Sequence, residues 1–240
     1  MRSAKIRGVF FDLGGTLLDY RKEEVFGALL EEKGIRVGPE RIIRAYDVVE
    51  KEWKRNLPGY QYSPPSGEEA IRRWDRMLLE QLGVPGNLDE LARFVSENWD
   101  RMDKQLPRNL VRRRYPDVLP CLERVRQHGL KTGIVSNIWS EARLRSELEG
   151  LELLEYFPVL VASGSVGFTK PSREIFDIAL KRVLLDPSEI VFVGDDLEAD
   201  YRGASNAGMN PVLIDRPGKY LELAGINRLS SLEELTRLLE

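Results

Sequence analysis

The stretch IRGVFFDLGGTLLD, Ile6 to Asp19, decides the reading of the fold. Val9, Phe10 and Phe11 make a short apolar run without polar alternation, the pattern of a parallel strand buried on both faces, and the run stops at Asp12 ahead of a glycine pair. Two other runs have the same form: LKTGIVSN, ending at Asn137, and EIVFVGDD, ending at Asp196. A helical segment follows each, so the economical reading is a series of βα units. Further strands are expected at FPVLVAS, Phe157 to Ser163, and PVLID, Pro211 to Asp215. In PSREIFDIALKRV, Pro171 to Val183, a proline stands where a helix can begin and Ile175, Phe176, Ile178, Ala179 and Val183 form one stripe. Five strands with crossover helices predict an α/β fold with a doubly wound parallel sheet.

Between the first and second runs the pattern changes. Residues 20–110 show helical periodicity with almost no strand signal. Helices are expected over Lys22 to Lys33, Pro39 to Arg55, Gly67 to Leu82 and Leu88 to Lys104, separated by the turn signals GIRVGP, LPGYQYSPPSG and GVPGN. Four such helices predict a small all-α bundle inserted into the α/β core, which comprises residues 1–19 and 111–240.

Composition narrows the partners. The 240 residues are 42% hydrophobic and 31% charged, the balance of a globular protein, with no apolar run of membrane-spanning length. Lys plus Arg is 36 against 39 for Asp plus Glu, a net charge of −3, so no overall positive field gathers nucleic acid or anionic lipid. A small molecule is the expected partner, and monomer and homodimer are both compatible with the sequence. The N-terminal residues lack the apolar centre of a secretory signal, which makes the cytoplasm the expected address. The single cysteine, Cys121, lies in an apolar helical pattern and reads as a core residue.

Ligands of open α/β sheets bind at the carboxyl ends of the strands. The residues that finish these runs are Asp12 with Gly14, Gly15 and Thr16, then Ser136 and Asn137, and then Asp195, Asp196 and Asp200; Lys170 precedes the proline-led helix. Taken singly, each has a structural explanation, such as a helix cap or a solvated lysine. Together they supply a carboxylate nucleophile, further carboxylates for a hard cation, a hydroxyl and an ammonium for anionic oxygens, and a glycine turn that exposes amides. That set suits phosphoryl transfer.

Four motifs resemble those of the haloacid dehalogenase superfamily, in that family's order: FFDLGGTLLD (Phe10 to Asp19), IVSN (Ile134 to Asn137), GFTKPSREIF (Gly167 to Phe176) and VFVGDDLEAD (Val191 to Asp200). The helical insert resembles the family's cap. The resemblance implies a Rossmann-like core and a Mg²⁺-dependent phosphatase in which Asp12 attacks phosphorus and becomes an aspartyl-phosphate. It implies Mg²⁺ held by Asp12, the carbonyl of Gly14 and Asp195, with Asp196 or Asp200 acting through water or in support. Ser136, Asn137 and Thr16 would meet the phosphorylated substrate, and Lys170 would neutralise both nucleophile and transferring group.

The chain departs from the family at one position. Members that hydrolyse phosphate esters usually carry a second Asp two residues after the nucleophile, where it protonates the leaving oxygen and later activates water. Here that position is Gly14. Acid–base catalysis is commonly worth ~10² to 10⁴-fold, so slow turnover is expected unless another group substitutes. Asp19, Tyr20 and Glu23 near one linker, and Arg112, Arg113 and Arg114 near the other, are the nearby candidates. Trp53, Tyr60, Tyr62 and Trp74 of the insert either line a substrate wall or pack the bundle. Two alternatives stay open: a metal-free 2-haloacid dehalogenase, and a non-catalytic domain that senses phosphate or a metabolite.

Overall fold

The computed structural model describes residues 5–56 and 68–238. The turn signal at 57–67, with Tyr60 and Tyr62, lies outside them. The chain divides into two compact units, one of Met1–Asp19 with Arg114–Glu240 and one of Tyr20–Arg113.

The first unit is built on a sheet whose strands are β1 (Gly8–Phe11), β4 (Lys131–Ser136), β5 (Val159–Ala162), β6 (Ile190–Gly194), β7 (Asn210–Ile214) and β8 (Arg228–Leu229). Among the described residues their order is β5-β4-β1-β6-β7-β8, with every pairing parallel. β1 and β6 are buried along their whole length, which is why their sequences are continuous apolar runs. Helices α6 (Val118–Gln127), α7 (Glu141–Gly150), α8 (Ser163–Val166), α9 (Arg173–Val183) and α10 (Gly203–Asn206) connect the strands. The order runs outward from β1 through β4 to β5, then returns to β6 and continues to β7. Right-handed crossovers therefore put helices on both faces of the sheet. The expected stripe of α9 buries Ile175, Phe176, Ala179 and Val183, and Phe176 meets Phe192 of β6 edge to face with ring centroids 5.2 Å apart. Cys121 is buried in α6, as its pattern predicts.

Three strands escape the sequence pattern. β8 has two residues, too short to show a period. The strands β2 (Leu18–Tyr20) and β3 (Arg112–Arg114) form a separate two-stranded ribbon whose sequences, LDY and RRR, carry no apolar run.

The second unit contains α1 (Lys22–Glu32), α2 (Pro39–Asn56), α3 (Glu68–Leu82), α4 (Leu88–Gln105) and the single turn α5 (Arg108–Val111). Its core gathers Val25, Phe26, Leu29 and Leu30 of α1, Ile42, Tyr46 and Val49 of α2, Leu78 and Leu79 of α3, and Ala92 and Val95 of α4. Asn87 caps α4 by accepting the amides of Asp89 and Glu90. Trp53 is buried and meets Trp74 edge to face at 5.4 Å, with the Arg73 guanidinium over its ring, so this aromatic pair packs the bundle. Residues 111–113 go with the helices for a local reason. Arg112 makes a two-bond ion pair with Asp103 of α4 at 2.7 and 2.8 Å, and Val111 accepts the amide of Arg21. Arg112, one of the linker candidates for the missing acid–base group, is thus ion-paired within its own unit. No helix among the described residues is long and apolar enough to cross a membrane.

Candidate functional site

The site lies at the carboxyl ends of β1, β4 and β6, as the topology requires of an open parallel sheet. Asp12 follows β1, and its amide donates to the carbonyl of Val193 in β6, fixing the point where the two strands separate. From there the chain turns back through Gly15, whose φ is +72°, a left-handed conformation that favours glycine. Gly14 is different. Its φ lies outside the left-handed region, it is exposed, and a Cβ built on it meets nothing within 4 Å. The loop is closed by hydrogen bonds from Leu17 and Leu18 to the Leu13 carbonyl and from Gly15 to the Leu18 carbonyl.

After β6 come Asp195 and Asp196. The Asp196 carboxylate caps the wide turn Leu197–Arg202 by accepting the amides of Glu198 and Ala199, at 2.9 and 2.7 Å. That turn presents Asp200, whose Oδ2 accepts the amide of Asp196. A Cβ on Gly194 would collide with the Asp200 carboxyl, so only glycine lets that side chain fold back over the strand end.

Lys170 joins the two halves. Its Nζ donates to Oδ1 of Asp12 and to Oδ1 of Asp200, each at 2.6 Å, and the residue is 2% exposed. Asn137, after β4, holds the Lys170 main chain with both ends of its amide: Oδ1 accepts the Lys170 amide at 2.8 Å and Nδ2 donates to its carbonyl at 3.1 Å. Ser136 ends β4, the direct neighbour of β1, and is buried.

Charge is unevenly balanced here. Carboxylate oxygens of Asp12, Asp195 and Asp200 lie within 4.8 Å of one another, and the Lys170 ammonium bonds two of the three, Asp12 and Asp200. Burial works to lower the Lys170 pKa, but Asp12 and Asp200 outweigh it and hold the ammonium above its ordinary range. Burial raises Asp200 to about 7 against the pull of Lys170. Asp195 is pushed well above the usual carboxylate range, first by burial and then by the charges of Asp12, Asp200 and Asp196. A cluster of hard oxygen donors with uncompensated negative charge fits a divalent cation.

Among the residues singled out by sequence, Asp12, Lys170, Asp195 and Asp200 come together. Asp196 stands apart from the three-carboxylate group as a helix cap, and Asn137 is a brace for Lys170. Thr16 is fully enclosed and its hydroxyl has no partner among the described residues, while its carbonyl accepts from Arg216. Near the linkers, Tyr20 bonds to Asp103 and Trp99, and Glu23 pairs with Arg21. Arg216 was not apparent from the sequence: it follows a strand-terminal Asp, but its partner Asp117 is 99 residues away.

The chain is similar to known proteins in sequence and in fold. Residues 6–208 match the family model of haloacid dehalogenase-like hydrolases. A glyceraldehyde 3-phosphate phosphatase of Methanopyrus kandleri is 32% identical over 91% of this chain and 87% of its own, and a phosphoserine phosphatase of Thermus thermophilus is 29% identical over 87% and 88%. The fold is shared with the HAD-hydrolase YfnB of Bacillus subtilis, solved bound to magnesium, at a TM-score of 0.74 and 20% identity over 99% of this chain and 100% of that one. With the parallel sheet, the strand-end acids and a family match across most of its length, the chain belongs to the haloacid dehalogenase-like hydrolases.

Proposed function

We propose that the chain is a Mg²⁺-dependent phosphatase of a small phosphorylated metabolite, with Asp12 as nucleophile. The observation that carries this reading is the Lys170 ammonium set between Asp12 and Asp200, with Asp195 completing a carboxylate cluster. Lys170 sets a positive charge beside Asp12, and an ionised carboxylate can attack phosphorus. The relatives named above are phosphatases of small phosphorylated molecules, which supports the substrate class.

In this reading an oxygen of Asp12 forms a bond to phosphorus as the ester P–O bond breaks, and water then hydrolyses the acyl phosphate, returning the carboxylate. Lys170 donates to Asp12 and offsets charge on the transferring group. The Ser136 hydroxyl hydrogen-bonds a phosphoryl oxygen, and Asn137 keeps Lys170 in place through its main chain. Asp12, Asp195 and the Gly14 carbonyl would hold the cation, with Asp200 in support. When bound, it supplies positive charge that lessens the repulsion between carboxylate and phosphate. Gly14 has no proton to give the leaving oxygen, so esters with good leaving groups are the better substrates.

Metal-free attack on a haloacid fits less well, because it leaves the cluster of Asp12, Asp195 and Asp200 without a cation to hold. The test is hydrolysis of p-nitrophenyl phosphate and a panel of phosphorylated metabolites, with Mg²⁺ and with chelator, alongside chloride release from a 2-chloroacid. Activity lost in chelator and abolished by Asp12→Asn supports the phosphatase; chloride release undiminished by chelator overturns it.

A further inference from the structure

We infer that Arg216 is a positioning residue for the nucleophile loop, acting with Asp117 to hold the chain from Leu13 to Leu18 in register. The inference rests on the phosphatase reading for its catalytic consequence, but its geometry stands independently.

Arg216 lies two residues past β7, in a turn fixed by Asp215, which accepts the amides of Lys219 and Tyr220 at 2.7 and 2.8 Å. Its Nη2 donates to the Thr16 carbonyl at 2.9 Å and to Asp117 Oδ1 at 3.0 Å, and its Nη1 donates to Asp117 Oδ2 at 2.8 Å. In the strand order β1-β6-β7, this side chain spans from the end of β7 to the loop after β1, across the end of β6. The guanidinium lies over the Tyr115 ring, 3.8 Å from its centre, and the Tyr115 amide donates to the Leu17 carbonyl. Two adjacent carbonyls of the loop, of Thr16 and Leu17, are therefore held by one stacked pair.

Asp117 is itself immobilised. Its Oδ2 also accepts the Ser231 hydroxyl and the Leu232 amide, both at 2.8 Å. The Arg216 Nε is buried with no partner among the described residues, so the guanidinium is oriented toward Asp117 and Thr16 at the expense of its third donor direction. A planar fork with two bonds to a carboxylate has little freedom, and lysine cannot reproduce it. What the fork fixes is the segment that carries Gly14 and Gly15, immediately after Asp12.

Displacements of about 1 Å in a reacting group can cost ~10²-fold in rate, so Arg216→Ala should lower kcat on p-nitrophenyl phosphate by ~10-fold or more with KM within ~3-fold. Amide hydrogen exchange gives a second readout that needs no substrate. Gly15, Leu17, Leu18 and Tyr115 should exchange faster in the variant, while β4 and β6 keep parental protection. Free guanidinium at low millimolar concentration should restore part of both properties, and Arg216→Lys should fall between parent and alanine variant. Parental exchange at those four amides, parental kcat, or a loss confined to KM would overturn the inference. If the alanine variant does not fold, the lysine variant carries the same measurements, and parental exchange in it is equally decisive against. A parent protein inactive on every ester would refute the phosphatase reading alone, leaving exchange to judge the brace.

Discussion

Gly15 and Asp195 approach so closely that a Cβ on Gly15 would lie 2.3 Å from Oδ2 of Asp195. With φ at +72°, that position excludes a side chain on both backbone and steric grounds. Gly15→Ala is expected to destabilise the protein by about 1–3 kcal/mol and to displace Asp195, weakening cation binding. Thermal unfolding and a Mn²⁺ titration of the folded variant measure the two effects. Parental affinity for Mn²⁺ would show that Asp195 does not contribute to the cation site.

Gly14, one residue earlier, has open space around its Cβ position and no left-handed backbone. Gly14→Asp should therefore fold, and should supply the missing proton donor. Hydrolysis of alkyl phosphates should rise by ~10-fold relative to p-nitrophenyl phosphate, which leaves without needing a proton. The quantity to measure is the ratio of alkyl to aryl rates at saturating Mg²⁺. An unchanged ratio in a folded, metal-bound variant would mean that another group already protonates the leaving oxygen.

Removing the ammonium should be worse than removing a surface charge. Lys170→Met leaves Asp12 and Asp200 buried near each other without the group that bridges them, and breaking such a buried pair typically costs ~3–5 kcal/mol. Urea unfolding should register that loss, and turnover should fall at least ~100-fold. Near-parental activity would remove Lys170 from the mechanism.

In the helical unit, burial raises the Asp75 carboxyl on α3 to about 8, and burial, followed by the Asp75 charge, raises the Tyr46 hydroxyl on α2. Folding thus favours the protonated acid. The stabilising effect of protonation is complete below the unfolded pKa near 4, diminishes as pH rises and is lost above about 8. Asp75→Asn, neutral at every pH, should remove this dependence. It should also raise stability at pH 8.5 by a few kcal/mol, since each tenfold change in proton affinity corresponds to about 1.4 kcal/mol. Urea unfolding of both proteins at acidic and alkaline pH tests it; identical pH slopes would place the Asp75 carboxyl in water.

The buried strands were legible because burial on both faces leaves an unbroken apolar run, as in GVFF and IVFVG. The acids at their ends were legible because topology puts such residues where ligands bind. What the sequence hid was the use of each side chain. Asp196 and Asp200 look alike in the string, yet one caps a turn and the other receives Lys170. Asn137 sits beside a hydroxyl motif but grips a main chain 33 residues away. Gly14 and Gly15 are the same letter with opposite tolerance for a side chain, a difference held in one dihedral angle and one neighbour. Contacts across such sequence separations, like Arg216 with Asp117, have no local signature.

The wide turn from Asp196 to Asp200 also makes spacing a functional quantity. The amides of Asp200 and Tyr201 both donate to the Asp196 carbonyl at 3.1 Å, while the exposed Glu198 inside the turn gives its backbone amide to the Asp196 cap and its side chain only to a surface ion pair with Arg202, of little energetic weight. Its identity is accordingly open to exchange, but its presence is not. Deleting one residue would swing Asp200 by roughly a quarter of a rotation about the helix axis, away from the ammonium it now meets. Length, more than letter, is what inheritance must preserve across this segment.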